Sequence, residues 1–406
     1  MRKTVVIGGG AAGLFAALTA AQKGNEVILI EKNEKLGKKI YITGKGRCNL
    51  SNYVGVSEFM NNVVSNPKFL FGALNNLSPE QTYEFFENAG LKLKVERGKR
   101  VFPLSDKASD VTAVLERQIK RLGVKITLNT KVLDVLTEDG RVYGVKTERG
   151  VITADSVIVC TGGLSYPATG SDGDGFRFAK ESGHKVTPLF PSLVGLELHG
   201  DEFKKAQGLS LKNVAVKVLS GDKTVYKDFG EMLFTHYGVS GPVILSASCM
   251  IARLKKSDLR LVVDLKPALD VKVLDERLQR EFKERNLCDL SNAMRSVLPK
   301  SLIETVLHRA SLNAKKRCCD VTKEERERLC VLLKNMEFTV TGTRGFDEAI
   351  ITSGGVDVKE INPKTMESKF IKGLFFAGEV LDVDAFTGGF NMQIAFSTGY
   401  TAGLNA

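Results

Sequence analysis

The 406-residue sequence contains no apolar run long enough to cross a bilayer, which excludes a helical membrane span. Its seven cysteines are scattered without a C-x-x-C pair, and its four histidines show no spacing typical of a zinc site. We therefore expect reduced thiols and no metal. An apolar stretch at residues 5–21 follows two basic residues, as in a signal peptide, but no export cleavage pattern follows it. We expect a cytoplasmic protein.

Positively charged residues are in excess, but they are spread along the sequence. The net charge is +11 and the sequence pI is about 9.2, but the basic residues are interspersed with acids and form no long block. This pattern favours solvated faces, with some attraction for an anionic cofactor or substrate, over nucleic-acid binding. Hydrophobic residues at 43% and charged residues at 26% are ordinary for a globular protein of two or three domains.

A glycine turn stands near the start of the chain, Gly8-Gly9-Gly10-Ala11-Ala12-Gly13. It follows the apolar run at residues 5–7 and opens a helix-like run at 14–18, and a second apolar run ends at Glu31. This order of strand, turn, helix, strand and acid is typical of a dinucleotide site. Gly8 permits a tight turn, Gly10 leaves room for a pyrophosphate, and Gly13 permits close helix–strand packing. Glu31 is placed to bind ribose hydroxyls, and its charge disfavours a 2′-phosphate.

The turn alone leaves both FAD and NAD open as cofactors. Three later elements suit FAD, namely a strand ending in Thr161-Gly162-Gly163, a strand ending in Gly378-Glu379, and glycines at 388–389 that open a last helix. Because the carboxyl ends of parallel strands form the cofactor crevice, we expect all three at one crevice. A helix N-terminus aimed at the flavin would stabilise negative charge on the reduced ring. No second G-x-G-x-x-G motif appears, so a separate NAD(P)H domain is not expected.

The pattern of predicted elements divides the chain. An α/β pattern covers residues 1–190, with helices expected at 79–89 and 110–122, the second N-capped by Asp110, and a hairpin turn at Asp139-Gly140. Short strands over 191–248, joined by residues near 337–342, predict a β-barrel-like insert, and residues 249–336 predict a helical insert or cap. The α/β pattern returns over 343–406, so the dinucleotide-binding domain is predicted to be discontinuous.

Four stretches carry a family resemblance that spans essentially the whole chain. They are residues 8–13 with Glu31-Lys32, residues 37–49 (GKKIYITGKGRCN), residues 233–242 (LFTHYGVSGP), and residues 365–391, which include Gly378-Glu379 and Gly388-Gly389-Phe390-Asn391. In these stretches the chain resembles the bacterial BaiN-like flavoproteins, which include aminoacetone-oxidase-like FAD enzymes. The resemblance implies an α/β fold with a glutathione-reductase-like, Rossmann-type FAD domain and inserted β-barrel and helical domains. More distantly, residues 169–175 resemble the Gly-Asp-Gly turn of fumarate-reductase-like flavoproteins, which implies that Asp174 lies near the cofactor.

The loop at residues 43–49 is expected alongside the FAD. Lys45 and Arg47 can meet the pyrophosphate, and Asn49 can bind a flavin carbonyl. Cys48 has no second cysteine nearby, so we expect packing or a flavin contact rather than dithiol chemistry. His236 is the candidate catalytic acid or base, with a structural histidine as the alternative. The expected cofactor contacts are, in full, Gly8, Gly10, Ala11, Ala12, Gly13, Glu31, Lys32, Lys39, Gly44, Arg47, Cys48, Asn49, Val132, Thr161, Gly162, Gly163, Asp174, Gly378, Glu379, Asp382, Gly389, Asn391, Met392 and Gln393.

These observations predict an FAD-dependent oxidoreductase that acts on a small or flat organic substrate as a monomer or homodimer. The resemblance implies two reaction types. One is reduction of an activated C=C bond, with NAD(P)H as a transient electron donor, and the other is amine oxidation by oxygen. A tRNA-modifying flavoprotein and a non-catalytic FAD-binding protein stay open as alternatives, although the charge pattern does not predict a nucleic-acid partner.

Overall fold

The computed structural model describes residues 1–254 and 258–406, and these residues form two compact units. The first unit comprises Met1–Ser192 and Gly345–Ala406, and the second comprises Leu193–Arg344. The first unit is therefore built from two separate segments of the chain. A further division of the second unit into barrel and helical inserts stays a prediction, and residues 255–257 of the predicted helical insert lie outside the described residues.

Strands and helices both occur in each of the two units. Strands β1 to β19 of the described residues are Lys3–Ile7, Glu26–Ile30, Ser51–Asn52, Leu93–Glu96, Arg100–Pro103, Lys125–Thr127, Val132–Glu138, Arg141–Thr147, Gly150–Thr153, Ser156–Val159, Phe190–Ser192, Leu196–Leu198, Ser210–Ser220, Lys223–Phe234, Gly238–Ser240, Leu259–Asp264, Met336–Thr343, Ile351–Ser353 and Leu374–Phe376. Helices α1 to α13 are Ala11–Gln22, Lys38–Ile42, Val56–Met60, Phe71–Asn76, Pro79–Asn88, Ala108–Arg121, Asp174–Glu181, Pro242–Ile251, Val271–Glu284, Leu290–Ala293, Lys300–Arg309, Lys323–Lys334 and Phe390–Asn405. Among these helices, none has both the length and the apolar character that a membrane span needs.

A five-stranded sheet forms the centre of the first unit, in the order β19-β10-β1-β2-β6 with every pair parallel. Its central strands are apolar and buried along nearly their whole length. Such runs are typical of parallel sheets, which are covered on both faces. The predicted α/β fold class is confirmed. Strand β19, from late in the chain, pairs with β10 in this sheet.

Helices α1 and α13 pack closely because glycines line their contact. A Cβ atom added at Gly399 would lie 2.2 Å from the Ala12 carbonyl oxygen, and one added at Gly403 would lie 2.4 Å from the Ala16 oxygen. No side chain fits at either distance, so the two backbones approach as near as packing permits. The two chain segments of the first unit are therefore in direct backbone contact where α1 packs against α13.

Smaller elements of the first unit follow local sequence signals, with one exception. The helix predicted at 79–89 is Pro79–Asn88 with a capping box at Ser78, and Asp139-Gly140 turns the β7–β8 hairpin as predicted. The prediction that Asp110 N-caps its helix is wrong. Helix α6 already begins at Ala108, and the Asp110 carboxylate accepts a hydrogen bond from Ser105 inside the first turn.

The second unit contains a closed barrel with strand order β12-β15-β14-β13-β16-β17, which confirms the predicted barrel. Strand β16, at Leu259–Asp264, falls where the sequence pattern predicted only helices, so that part of the prediction is wrong. Its residues Leu259, Leu261 and Val263 alternate into the barrel core, a period of two that the flanking charged residues obscured.

Candidate functional site

Four adjacent parallel strands bring the predicted cofactor segments to one sheet edge. Strands β1, β2, β10 and β19 end at Ile7, Ile30, Val159 and Phe376. The segments that follow them are the glycine turn at 8–13, Glu31, residues 161–163 and Gly378-Glu379. Because the strands are parallel neighbours, these four segments share the edge at which α/β sheets bind ligands.

The three glycines of the turn differ in what surrounds them. A Cβ atom at Gly8, whose φ is +99°, would lie 2.6 Å from the Cys160 carbonyl oxygen, and one at Gly13 would lie 1.8 Å from the Gly8 oxygen. A Cβ atom at Gly10 would meet nothing within 4 Å. Gly8 and Gly13 are thus required by the protein's own packing, whereas Gly10 faces open space. Among the described residues no side chain caps the N-terminus of α1, so its first N–H groups are available to an anion.

Glu31 lies beside this turn and is buried. Its Oε2 accepts a hydrogen bond from the Gly9 N–H at 2.8 Å. Its Oε1 accepts from the Asn33 backbone N–H at 2.8 Å and from Asn33 Nδ2 at 2.7 Å. These donors orient the carboxylate, and Oε2 keeps acceptor capacity for a hydroxyl group because a carboxylate oxygen accepts two bonds.

Among the buried side-chain atoms that have no hydrogen-bond partner in the described residues, two belong to predicted cofactor contacts. They are Asn49 Oδ1 and Thr161 Oγ1. Asn49 Oδ1 lies against the backbone of Gly389 at the start of α13, and Thr161 Oγ1 lies against Gly175 in the first turn of α7. A buried polar atom left unsatisfied costs about 1–3 kcal/mol, so both atoms fit a ligand that supplies their partners.

The loop at residues 43–49 has an unusual backbone. Its non-glycine residues Lys45 and Cys48 have φ values of 59° and 60°, in the left-handed region. Arg47 is held against strand β4 and the segment that follows β5, since its Nη2 pairs with Glu96 and its Nε donates to Asp106 Oδ1 at 2.7 Å. Those carboxylates raise the pKa of the Arg47 guanidinium. Its predicted pyrophosphate contact stays a prediction, and in this structure the guanidinium is engaged by acids.

Cys48 is completely buried, and burial raises the pKa of its thiol to about 12. A thiol with such a pKa is almost entirely protonated at neutral pH, and only the thiolate is a good nucleophile. This geometry suits the packing role, which was one of its two predicted roles, and it gives no support to thiol redox chemistry.

Lys39 and Glu379 form a network that includes two residues missed by the sequence analysis. Lys39 Nζ lies 2.6 Å from Glu379 Oε2 and 2.7 Å from Ser165 Oγ. Glu379 Oε1 accepts from Ser165 Oγ at 2.5 Å and from the Thr352 backbone N–H at 2.9 Å. Ser165 follows Gly163 by two residues, so the Thr161-Gly162-Gly163 motif could have indicated it. Nothing in the sequence around Thr352 indicates a role at the site.

Residues near the acidic turn at 172–174 also pair across the first unit. Lys32 Nζ lies 2.6 Å from Asp172 and 3.1 Å from Asp174. Asp174 also lies 3.8 Å from Lys131, which precedes the buried Val132 at the start of β7. These pairs place Lys32 and Asp174 together on the Glu31 side of the sheet edge.

Of the predicted cofactor contacts around α13, some lie at the start of the helix and others have side chains that bind the protein itself. Gly389 is the N-cap of the helix, with Met392 half-buried in its first turn. The Asn391 side chain binds the backbone of Ala385, and the buried Gln393 side chain binds Ser51, Thr82, Ser397 and the Leu77 carbonyl. Asp382 is buried, with its backbone oxygen bound by Asn66. The amide groups of Asn391 and Gln393 thus stabilise the protein itself, and their cofactor contacts stay a prediction.

His236 lies in the second unit, between β14 and β15, and is exposed. Its ring packs edge-on against Tyr237 at 5.0 Å, and the Arg344 guanidinium lies 4.8 Å from the Tyr237 ring centre. A catalytic role for His236 stays a prediction.

Comparison with known proteins identifies the family of the chain. The family described as "HI0933-like protein Rossmann domain" matches residues 2–405. The chain is 32% identical to the 3-dehydro-bile acid delta(4,6)-reductase of Clostridium scindens, over 100% of this chain and 99% of that protein. It is 31% identical to the ribosomal RNA dihydrouridine synthase of Haemophilus influenzae, over 99% and 98%. In fold it is similar to the 3-ketosteroid-Δ4-(5α)-dehydrogenase of Rhodococcus jostii RHA1, with a TM-score of 0.56, 15% identity, and 100% and 96% coverage.

The residues of the crevice fit FAD. The open space before Gly10, the uncapped α1 N-terminus and the oriented Glu31 carboxylate suit a pyrophosphate and a ribose. The unsatisfied Asn49 and Thr161 oxygens suit donors of a bound ligand.

Proposed function

The chain belongs to the HI0933-like family of FAD-dependent Rossmann proteins and is an FAD-dependent oxidoreductase, and we propose that it reduces a C=C bond conjugated to a carbonyl group with NAD(P)H. The observation that carries the proposal is that two relatives, each matched along almost its full length, are named for different substrates but for one kind of reaction. A Δ4 bond of a 3-oxo steroid and the C5=C6 bond of uracil are both conjugated to a carbonyl group.

The proposed reaction balances without any further oxidant or reductant. One NAD(P)H and one proton are consumed for each double bond, a hydride is added at the β-carbon, and a proton is added at the α-carbon. Bound FAD supplies the two-electron redox chemistry between donor and acceptor. The protein's task is to hold the acceptor and to polarise its carbonyl oxygen, which makes the β-carbon electrophilic.

Different residues of the sheet edge would bind different parts of FAD. The α1 N-terminus and the space before Gly10 would bind the pyrophosphate, and Glu31 would accept hydrogen bonds from the ribose. Asn49 Oδ1 and Thr161 Oγ1 would hydrogen-bond polar groups of the cofactor. The N-terminus of α13, capped by Gly389, would place the positive end of its dipole near this region and stabilise negative charge.

Anaerobic stopped-flow absorbance tests the proposal. The FAD-loaded protein is mixed with NADH or NADPH, and the reduced protein is then mixed with a 3-oxo-Δ4 steroid or with uridine. We expect the yellow colour to bleach with one of the donors and to return with an acceptor, with a product heavier by two hydrogen atoms in mass spectrometry. The saturated 3-oxo steroid is the matched control and should not restore the colour.

Two results would contradict the proposal. Absence of bleaching by both donors, together with amine-driven peroxide formation in air, would instead support the amine oxidase alternative. A flavin that is neither reduced by donors nor reoxidised in the folded protein would support a non-catalytic role.

A further inference from the structure

Positive charge is concentrated on one surface of the first unit, beside the candidate crevice. Residues 92–107 contain six Lys and Arg but only two Asp and Glu. They form the β4–β5 hairpin and the segment after it, and Arg47 ties the loop at 43–49 to this hairpin through Glu96 and Asp106. We call five exposed cations of these two segments the basic collar, namely Lys45, Arg97, Lys99, Arg100 and Lys107. Lys92 is also exposed but is not included, because it precedes the hairpin and pairs with Glu87 at 3.0 Å.

The acids near the basic collar leave it with excess positive charge. Glu96 and Asp106 are occupied by Arg47 and Lys94, which are not collar residues. Arg100 reaches Glu96 only at 3.8 Å, and Lys99 pairs with Glu58, where both side chains are 54% exposed. An ion pair so exposed contributes little and is readily exchanged for another anion. The structure gives no ion pair for Lys45, Arg97 or Lys107 among the described residues.

One side chain connects this surface directly with the crevice. Asn52 Nδ2 donates to the Gly98 carbonyl at the tip of the β4–β5 hairpin and to the Gly388 carbonyl before α13, both at 3.0 Å. Gly388 and Gly389 open the helix whose N-terminus belongs to the candidate site. The hairpin tip is therefore fixed next to the crevice. The loop at 43–49 contributes Lys45 to the collar and Asn49 to the crevice.

An exposed aromatic ring, that of Tyr53, lies beside the basic collar. Tyr53 is 41% exposed, and its backbone N–H donates to the Lys99 carbonyl oxygen at 2.7 Å. Its ring is supported edge-on by Tyr83 at 5.1 Å. An exposed ring among lysines and arginines is the combination that binds unpaired nucleotides, since the cations neutralise phosphates and the ring stacks on a base.

We propose that the basic collar binds the phosphate backbone of single-stranded RNA and so presents a base to the crevice. This inference rests on the proposed function, because a uracil base carries a C=C bond conjugated to a carbonyl group. A substrate with a single carboxylate would need one or two cations, whereas cations spread over two chain segments match the repeated charges of a polyanion. An enzyme that acts on a base must also hold the flanking nucleotides while the base leaves its stack.

Fluorescence anisotropy with FAD-loaded protein and a labelled uridine-rich RNA of about 12 nucleotides tests the collar. The test variant is Arg97→Gln/Lys99→Gln/Lys107→Gln. The control variant is Lys23→Gln/Arg121→Gln/Lys125→Gln, which removes the same charges at the opposite, amino-terminal edge of the parallel sheet. All six positions are exposed, and the urea unfolding midpoint verifies that both variants fold.

The salt dependence of RNA binding gives the expected loss of affinity in the collar variant. If the three collar residues each neutralise one phosphate, the slope of log K against log salt should become shallower by about 2, from about 0.7 per contact. Binding at about 0.1 M salt should then weaken about 100-fold in the collar variant and less than about 3-fold in the control. Equal weakening of both variants, or no RNA binding by the unmodified protein, would overturn the proposal. Because no electron donor is present, this result is independent of whether the proposed reduction occurs.

Discussion

Substituting alanine for Gly10 separates cofactor binding from folding. In the structure a Cβ atom at Gly10 meets nothing within 4 Å, and the backbone there, with φ −80° and ψ −168°, suits any residue. The apoprotein should therefore keep its stability to within about 1 kcal/mol, because a small N-cap preference is offset by lost freedom of the unfolded chain. The added methyl group would occupy space that we assign to the pyrophosphate.

The magnitude follows from the hydrogen bonds at stake. If the methyl group displaces the phosphate from one N–H of the α1 N-terminus, the loss is that of a charge-assisted hydrogen bond, about 1.5–3 kcal/mol. The dissociation constant of FAD should then rise about 10- to 150-fold. Fluorescence quenching of FAD on titration with apoprotein measures this constant, and urea unfolding of the apoprotein measures stability.

Gly13→Ala is the matched control, with the opposite expectation. Its Cβ atom would lie 1.8 Å from the Gly8 carbonyl oxygen, so the apoprotein itself should lose about 3 kcal/mol. Unchanged FAD affinity in a folded Gly10→Ala protein would refute the assignment of the pyrophosphate to this space. Equal loss of apoprotein stability in both variants would show that Gly10 is needed for packing.

Two further predictions concern buried groups. Cys288 and Cys319 are exposed and should react with iodoacetamide at pH 8, whereas Cys48, with a pKa of about 12, should stay unlabelled in peptide mapping until urea is added. Because this pKa is raised above the ordinary value of 9.0, the folded state holds the thiol proton longer. Cys48 should thus make stability fall as the pH rises above 9, by up to about 1.4 kcal/mol per pH unit, and Cys48→Ala should make the measured slope shallower by that amount while the buried Cys160 and Cys330 thiols keep their own share. Labelling of Cys48 as fast as Cys288 would contradict this. Glu31→Gln should cost the apoprotein about 1–3 kcal/mol in urea unfolding, because the new NH2 group faces an N–H donor in either orientation. The control is Glu26→Gln, at an exposed position at the start of strand β2, which Glu31 directly follows. Equal midpoints for both variants would show that the Glu31 bonds are unimportant.

The sequence predicts the part of the site that depends on local order. The apolar runs before Gly8 and before Thr161 are short and buried on both faces, so a parallel sheet follows from their pattern, and the turns at their carboxyl ends follow from that sheet. The return of the chain to the same sheet at Gly378 is also predictable, because its strand carries the same pattern and ends in glycine and an acid.

Other parts of the fold and of the site depend on contacts between residues that are distant in the sequence, so no local sequence pattern predicts them. Thr352 is close to Glu379 only because β18 is folded beside β19's end, and nothing in its neighbours distinguishes it from any strand threonine. The alternation of β16 was hidden between charged residues. For the basic collar, the sequence shows the cations, but only the structure shows that Asn52 holds the hairpin tip against Gly388.

The close packing of α1 against α13 has a consequence for how the protein is made. The glycine turn leaves the ribosome early, but Gly399 and Gly403, which cover α1, are translated at about 5–20 residues per second and follow roughly 20–80 seconds later. During that interval the apolar surface of α1 needs other cover, and the crevice lacks the helix whose N-terminus faces it. A nascent chain that lacks α13 should therefore be unable to retain FAD, and cofactor uptake has to wait until this helix has been synthesised.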